Sequence, residues 1–87
     1  MKIGYHKRFL KNYKVRILPN KSLDKRYEER MALFIKNPQS SILEDHPLKG
    51  EWKGFRAFSI TGDIRVIYQI DQGVVLLYDV GTHNQLY

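Results

Sequence analysis

Apolar and polar positions alternate along Ile64 to Ile70. Ile64, Val66, Tyr68 and Ile70 share one parity, and Asp63, Arg65, Ile67 and Gln69 the other. Such a run of β-branched and aromatic residues predicts a strand with one wholly apolar face and a second face carrying Asp63 and Arg65. Lys2 to Tyr5 alternates briefly and predicts a short first strand. From His6 to about Ile17 the period changes. Phe9, Leu10, Tyr13 and Ile17 recur at helical spacing with lysines between them, and Pro19-Asn20 ends the pattern. A second helix is expected from an N-cap near Ser22, with Asp24 in its first turn. Leu23, Tyr27, Met31 and Phe34 or Ile35 form its buried stripe, and Asn37-Pro38 closes it.

Residues 37–50 hold two prolines, two serines and Gly50, and read as a loop. Three closely spaced strands follow, at about 51–60, 64–70 and 74–80. They are joined by Thr61-Gly62-Asp63 and Asp71-Gln72-Gly73. Two three-residue connectors would oppose Ile60 to Ile64, Phe58 to Val66, Ile70 to Val74, Tyr68 to Leu76 and Val66 to Tyr78, an apolar set throughout. The other face would then bring Ser59, Arg65 and Asp79 side by side, with Arg65 and Asp79 as a cross-strand ion pair. Strict alternation turns Arg56 towards the helices. It is expected either to snorkel from the sheet edge or to be re-aimed by a bulge near Gly54. The expected fold is therefore α/β of the α+β kind, in the order β-α-α-β-β-β. A short first strand, a two-helix hairpin and a three-stranded antiparallel meander end in a short tail that Leu86 anchors.

Eighty-seven residues make one small domain, 1–87, which is expected to bury about 60–65% of its unfolded surface. With no cysteine, disulfides and thiolate metal sites are excluded, and a cytoplasmic home is expected. No apolar run is long enough for a membrane span, and no signal peptide is recognised, so the sequence reads as a mature product. Charge is segregated. Residues 1–40 hold eleven Lys/Arg against three Asp/Glu, and residues 41–87 four against six, for a net +6. A basic half with interleaved aromatics points to a polyanion or an acidic partner, and solvated helix faces account for many of the lysines equally well.

The chemistry-bearing residues are few. His6 opens the first helix and reads as a local hydrogen-bonding group. His46 precedes the meander and His83 follows it. No spacing of His, Asp or Glu suits a metal, no glycine-rich loop precedes a helix, and no nucleophile elbow is present, so neither metal nor cofactor is expected. Histidines beside arginines, lysines and aromatics suit metal-free RNA cleavage. One group takes the 2′-hydroxyl proton, another protonates the leaving oxygen, and cations hold the phosphorane. Histidine titrates near pH 6.5, close to working pH, which fits the acid role.

Three runs carry a resemblance: His46-Pro47-Leu48-Lys49-Gly50 with Trp52-Lys53-Gly54-Phe55-Arg56, then Gly62 to Tyr68, then Gly81-Thr82-His83-Asn84-Gln85-Leu86-Tyr87. Together with the Phe34 to Pro38 pattern closing the second helix, they make the chain similar to the RelE/YafQ toxin family, nearest a branch labelled RelE/StbE. That resemblance implies a RelE/ParE-like fold. It also implies the toxin of a type II toxin–antitoxin pair, an mRNA interferase that cleaves messenger RNA in the ribosomal A site without a metal. A cognate antitoxin, with an acidic amphipathic segment, would neutralise it. By position, His83 matches the general acid, His46 the histidine before the sheet, Asp63 the acid at the strand start and Arg65 the mid-strand arginine. Tyr87 matches the terminal aromatic that stacks on a base, and Lys49, Lys53 and Arg56 are the further RNA contacts expected. Two positions depart from YafQ-like members: Ser59 replaces a histidine, and Asp79 an arginine. Two other functions stay open: a ParE-like topoisomerase inhibitor, and a decayed toxin that only binds RNA or a partner.

Overall fold

The computed structural model describes all residues, 1–87, and contains one five-stranded sheet. Strand β1 is Lys2–Tyr5, helix α1 is Lys7–Arg16 and helix α2 is Lys21–Lys36. A two-residue strand β2, His46–Pro47, then precedes β3 (Arg56–Ser59), β4 (Ile64–Asp71), β5 (Val74–Thr82) and a four-residue helix α3, His83–Leu86. The spatial order is β1-β5-β4-β3-β2. Strand β1 runs parallel to β5, and the other pairings are antiparallel. The expected meander is present, widened at one edge by β1 and at the other by β2.

The two helices cover one face of the sheet. Phe9 and Ile17 from the first helical segment and Met31 and Phe34 from α2 pack on Phe58, Val66, Tyr68, Val75, Leu77 and Val80. Phe34 stacks on Phe58 with ring centroids 4.5 Å apart, an arrangement that adds to burial of both rings. The N-cap of α2 is Asn20 rather than Ser22. Its side-chain oxygen accepts from the amides of Ser22 and Leu23 at 3.0 and 3.2 Å. His6 caps α1, accepting from the Arg8 amide at 3.0 Å. The loop between α2 and β2 is anchored by Leu43, which is fully buried in a single 3-10 turn, Ser41–Leu43.

The opposite face carries a smaller cluster. Ala57, Ile67 and Leu86 are buried there with Leu48, Trp52, Phe55 and Tyr78 around them. The third strand begins at Arg56, later than expected, because Gly50–Trp52 forms a second 3-10 turn.

The register between β3 and β4 is the expected one: Phe58 opposes Val66, and Ser59 opposes Arg65. Between β4 and β5 it is not. The connector is the two-residue turn Gln72-Gly73, with φ of +51° and +80°, as a type I′ hairpin requires. Tyr68 therefore opposes Leu77, and a bulge between Ile67 and Tyr68 shifts the ladder once more. Beyond the bulge, Arg65 opposes Gly81 and Asp79 opposes Ile67. The expected Arg65–Asp79 pair does not form. Residues 74–78 are so evenly apolar that either parity reads well, and a bulge leaves no hydropathy signal.

Candidate active site

On the face away from α1 and α2, a cleft of about 280 Å³ is lined by His46, Leu48, Gly62, Asp63, Arg65, His83 and Tyr87. All four expected catalytic residues meet there. Three separate segments supply them: the short β2, the mouth of the β3–β4 hairpin, and α3.

His46 reaches this face because it pairs with Ala57, whose side chain belongs to the Leu86 cluster. Its Nδ1 lies 2.9 Å from the carbonyl oxygen of Glu44. A carbonyl only accepts, so Nδ1 carries the proton, and in the neutral ring Nε2 keeps its lone pair. That is the state a base needs.

Arg65 is half-buried beside Ser59. Its Nη1 donates to Ser59 Oγ at 2.7 Å, to the Thr61 carbonyl at 3.1 Å and to that of Gly62 at 3.3 Å. These bonds fix the plane of the guanidinium, while Nε and Nη2 make no hydrogen bond within the protein. Ser59, which by the resemblance replaces a histidine, is thus the residue that orients the cation. Asp63 is exposed at the rim, where its amide donates to Thr61 Oγ1 at 3.3 Å.

His83 is the first residue of α3. Thr82 caps this helix in a capping box: Gln85 N donates to Thr82 Oγ1 at 3.3 Å, and Thr82 N to Gln85 Oε1 at 2.8 Å. Leu86 is buried beneath it, and Trp52 Nε1 donates to the Leu86 carbonyl at 3.1 Å. The tail is therefore held at both ends of its single turn, and Leu86 anchors it as expected. The His83 and Tyr87 rings lie 4.8 Å apart. Burial raises the Tyr87 phenol above its ordinary pKa, and the Arg65 charge opposes that rise, so Tyr87 lies within the electrostatic reach of Arg65.

The remaining expected RNA contacts are placed elsewhere. Lys49 and Lys53 are exposed at the two ends of the Gly50–Trp52 turn and do not line the cleft. Arg56 is on the helix-covered face at the sheet edge, with no bulge to re-aim it, and its Nε donates to Asp45 Oδ1 at 2.7 Å. It lines a separate hollow of about 570 Å³ that contains no histidine. Asp79 has also left the site. Fully buried beneath α1, it accepts from Arg8 Nε at 3.0 Å, Asn12 Nδ2 at 2.7 Å and its neighbour's amide, Val80 N, at 2.8 Å, with Arg16 Nη1 at 3.5 Å. Its loss from the Arg65 face leaves that arginine free of a carboxylate partner.

The family model described as a bacterial toxin of type II toxin–antitoxin system, YafQ, matches residues 1–87. The chain belongs to the YafQ toxin family. The mRNA interferase toxin YafQ of Escherichia coli K12 is 31% identical over 87 residues, spanning 98% of this chain and 94% of that protein. The crystal structure of YafQ from E. coli BL21(DE3) superposes with a TM-score of 0.83 at 28% identity, covering 99% of this chain and 97% of the other. YafQ in the E. coli DinJ–YafQ complex gives 0.80 at 28% identity, with the same coverage. The fold expected from the RelE/YafQ resemblance is the YafQ fold.

Proposed function

We propose that this toxin is a metal-independent endoribonuclease that cleaves messenger RNA in the ribosomal A site and is neutralised by a cognate antitoxin. The observation that carries the reading is the convergence of His46, Arg65, His83 and Tyr87 on one open cleft. His46 Nε2 takes the proton of the 2′-hydroxyl, and the 2′-oxygen attacks the adjacent phosphorus. The bond from phosphorus to the 5′-oxygen breaks as His83 protonates that oxygen, leaving a 2′,3′-cyclic phosphate and a 5′-hydroxyl end. Arg65 offers Nε and Nη2 to the non-bridging oxygens, whose charge grows in the transition state. The exposed Tyr87 ring stacks on a base beside the scissile bond. With both proton transfers and the charge supplied by side chains, no step needs a metal. Asp63, at the rim, is the alternative base. The basic first half fits ribosomal RNA and, in the inhibited complex, an acidic amphipathic antitoxin segment.

Primer extension on ribosome-bound messenger in magnesium buffer, with toxin used as purified and toxin stripped with EDTA and then desalted, tests the general acid and the metal independence. Wild type is expected to cut in both conditions, and His83→Ala to lose about 10²–10⁴ in rate. Cutting by His83→Ala at the wild-type rate would remove the general-acid role, and loss of cutting by the stripped toxin, restored by adding back a trace transition metal, would remove metal independence. Inhibition of gyrase supercoiling without any RNA cleavage would move the chain to the topoisomerase-inhibitor class.

A further inference from the structure

The base in the mechanism above sits on a weak platform. Strand β2 is two residues long, and the residue before Asp45, Glu44, has φ +50° and ψ +37°. A left-handed conformation at a non-glycine residue costs about 1–3 kcal/mol and persists only where its surroundings over-determine it. The two ladder pairs of β2 do little to hold it. What holds it lies on the other side of the sheet. Asp45, next in sequence to His46, points to the helix-covered face, where its carboxylate is almost wholly buried. Arg56 Nε donates to one oxygen at 2.7 Å, and the Tyr68 hydroxyl donates to the other. Arg56 and Tyr68 are themselves cross-strand partners on β3 and β4, so a rigid part of the sheet presents both donors together. The hydrogen bond that Arg56 donates to Asp45 is also the main cause of the raised Arg56 pKa, in keeping with a charge-assisted contact.

We infer that Asp45, clamped by Arg56 and Tyr68, is a positioning residue that acts through the sheet to hold His46 in the cleft with its Nδ1 on the Glu44 carbonyl. Asp45 immediately precedes β2, and its side chain and that of His46 lie on opposite faces of the sheet, as the alternation of extended backbone requires. Fixing Asp45 on one face therefore fixes the direction of the imidazole on the other. Arg56, expected from sequence to touch RNA, acts in this arrangement from behind the site. The inference rests on the proposed role of His46 as base, and the test separates the two.

The variants are Asp45→Asn, Tyr68→Phe, His46→Ala and Asp45→Asn/His46→Ala. Tyr68→Phe removes one hydroxyl and leaves the ring in the core, so it covers the case in which Asp45→Asn unfolds. Single-turnover cleavage of ribosome-bound messenger gives the maximal rate and the half-saturating toxin concentration. Nitrogen-15 spectra of the His46 ring give its tautomer. Asp45→Asn and Tyr68→Phe are expected to lower the maximal rate about 10–100-fold, the scale of a small misplacement of a catalytic group. Half-saturation should stay within about twofold of wild type, since the RNA-contacting residues are unchanged and the loss falls on the transition state alone. The ring should lose its fixed Nδ1–H tautomer, and the double variant should cleave no more slowly than His46→Ala. Wild-type ring spectra in both single variants would overturn the inference whatever the rates, as would an Asp45→Asn loss that adds in full to that of His46→Ala. Full activity of His46→Ala would instead remove the base assignment, while the spectra still report whether Asp45 holds the ring.

Discussion

At the scale of single residues, the site depends on close approaches and buried hydroxyls as much as on its histidines. Gly81 is one such residue. A Cβ at this position would stand 2.7 Å from Gln85 Oε1 and 2.8 Å from Arg16 Nη1, closer than side-chain carbons tolerate. Gln85 cannot yield without opening the capping box that presents His83. Gly81→Ala is therefore expected to lower stability by about 1–3 kcal/mol and to slow cleavage, read by thermal melting and by primer extension. The tyrosines give a prediction in pH. Burial is the first cause that raises the phenols of Tyr13, Tyr27 and Tyr68 above the ordinary 10.0, reinforced by hydrogen bonds from Tyr13 to Asp24 and from Tyr68 to Asp45. The unfolded chain loses these protons first. Stability is thus full below about pH 10 and falls as pH climbs towards the higher folded values. Denaturant midpoints measured at stepped alkaline pH are expected to drop above that point, and Tyr27→Phe should flatten the drop.

At the scale of elements, the two candidate N-caps of α2 are separable by experiment. Asn20 accepts from two free amides, whereas the Ser22 side chain makes no capping bond. Asn20→Ala should cost about 1 kcal/mol in urea unfolding, and Ser22→Ala only a few tenths. This contrast also marks where the sequence was legible. Helical spacing located both helices, because burial on one face imposes a period, but cap choice turns on one φ/ψ pair that hydropathy does not encode. The β3–β4 register could be read because Asp63 and Arg65 break the apolar pattern and fix its parity. Residues 74–78 lack such a marker, so hydropathy does not separate a two-residue Gln72-Gly73 turn from a three-residue one and carries no trace of the bulge. Within the site, His46, Asp63, Arg65, His83 and Tyr87 could be grouped from their family-like order. Asp45 could not, since its role depends on a contact with Tyr68 on a strand 23 residues away.

At the scale of the whole molecule, Asp79 joins the first helix to the last strand. Arg8, Asn12 and Arg16 surround it, and Arg16 Nη1 also donates to the Val80 carbonyl at 2.9 Å. Asp79→Ala strands donors that the fold gathered for one carboxylate, and should cost about 3 kcal/mol in denaturant unfolding. Hydrogen exchange should place the loss in α1 and β5 together. The pairing of β1 with β5 sets when the chain can fold during its own synthesis. Lys2–Tyr5 finds its partner only once Val74–Leu77 exists, and α1 reaches Asp79 only a few residues before the histidine of α3 is made. A nascent chain stopped short of β5 has neither its parallel edge nor its helix anchor, and such long-range closure must come late. The ribosome that translates this toxin thus carries it without a completed sheet until β5 has been made.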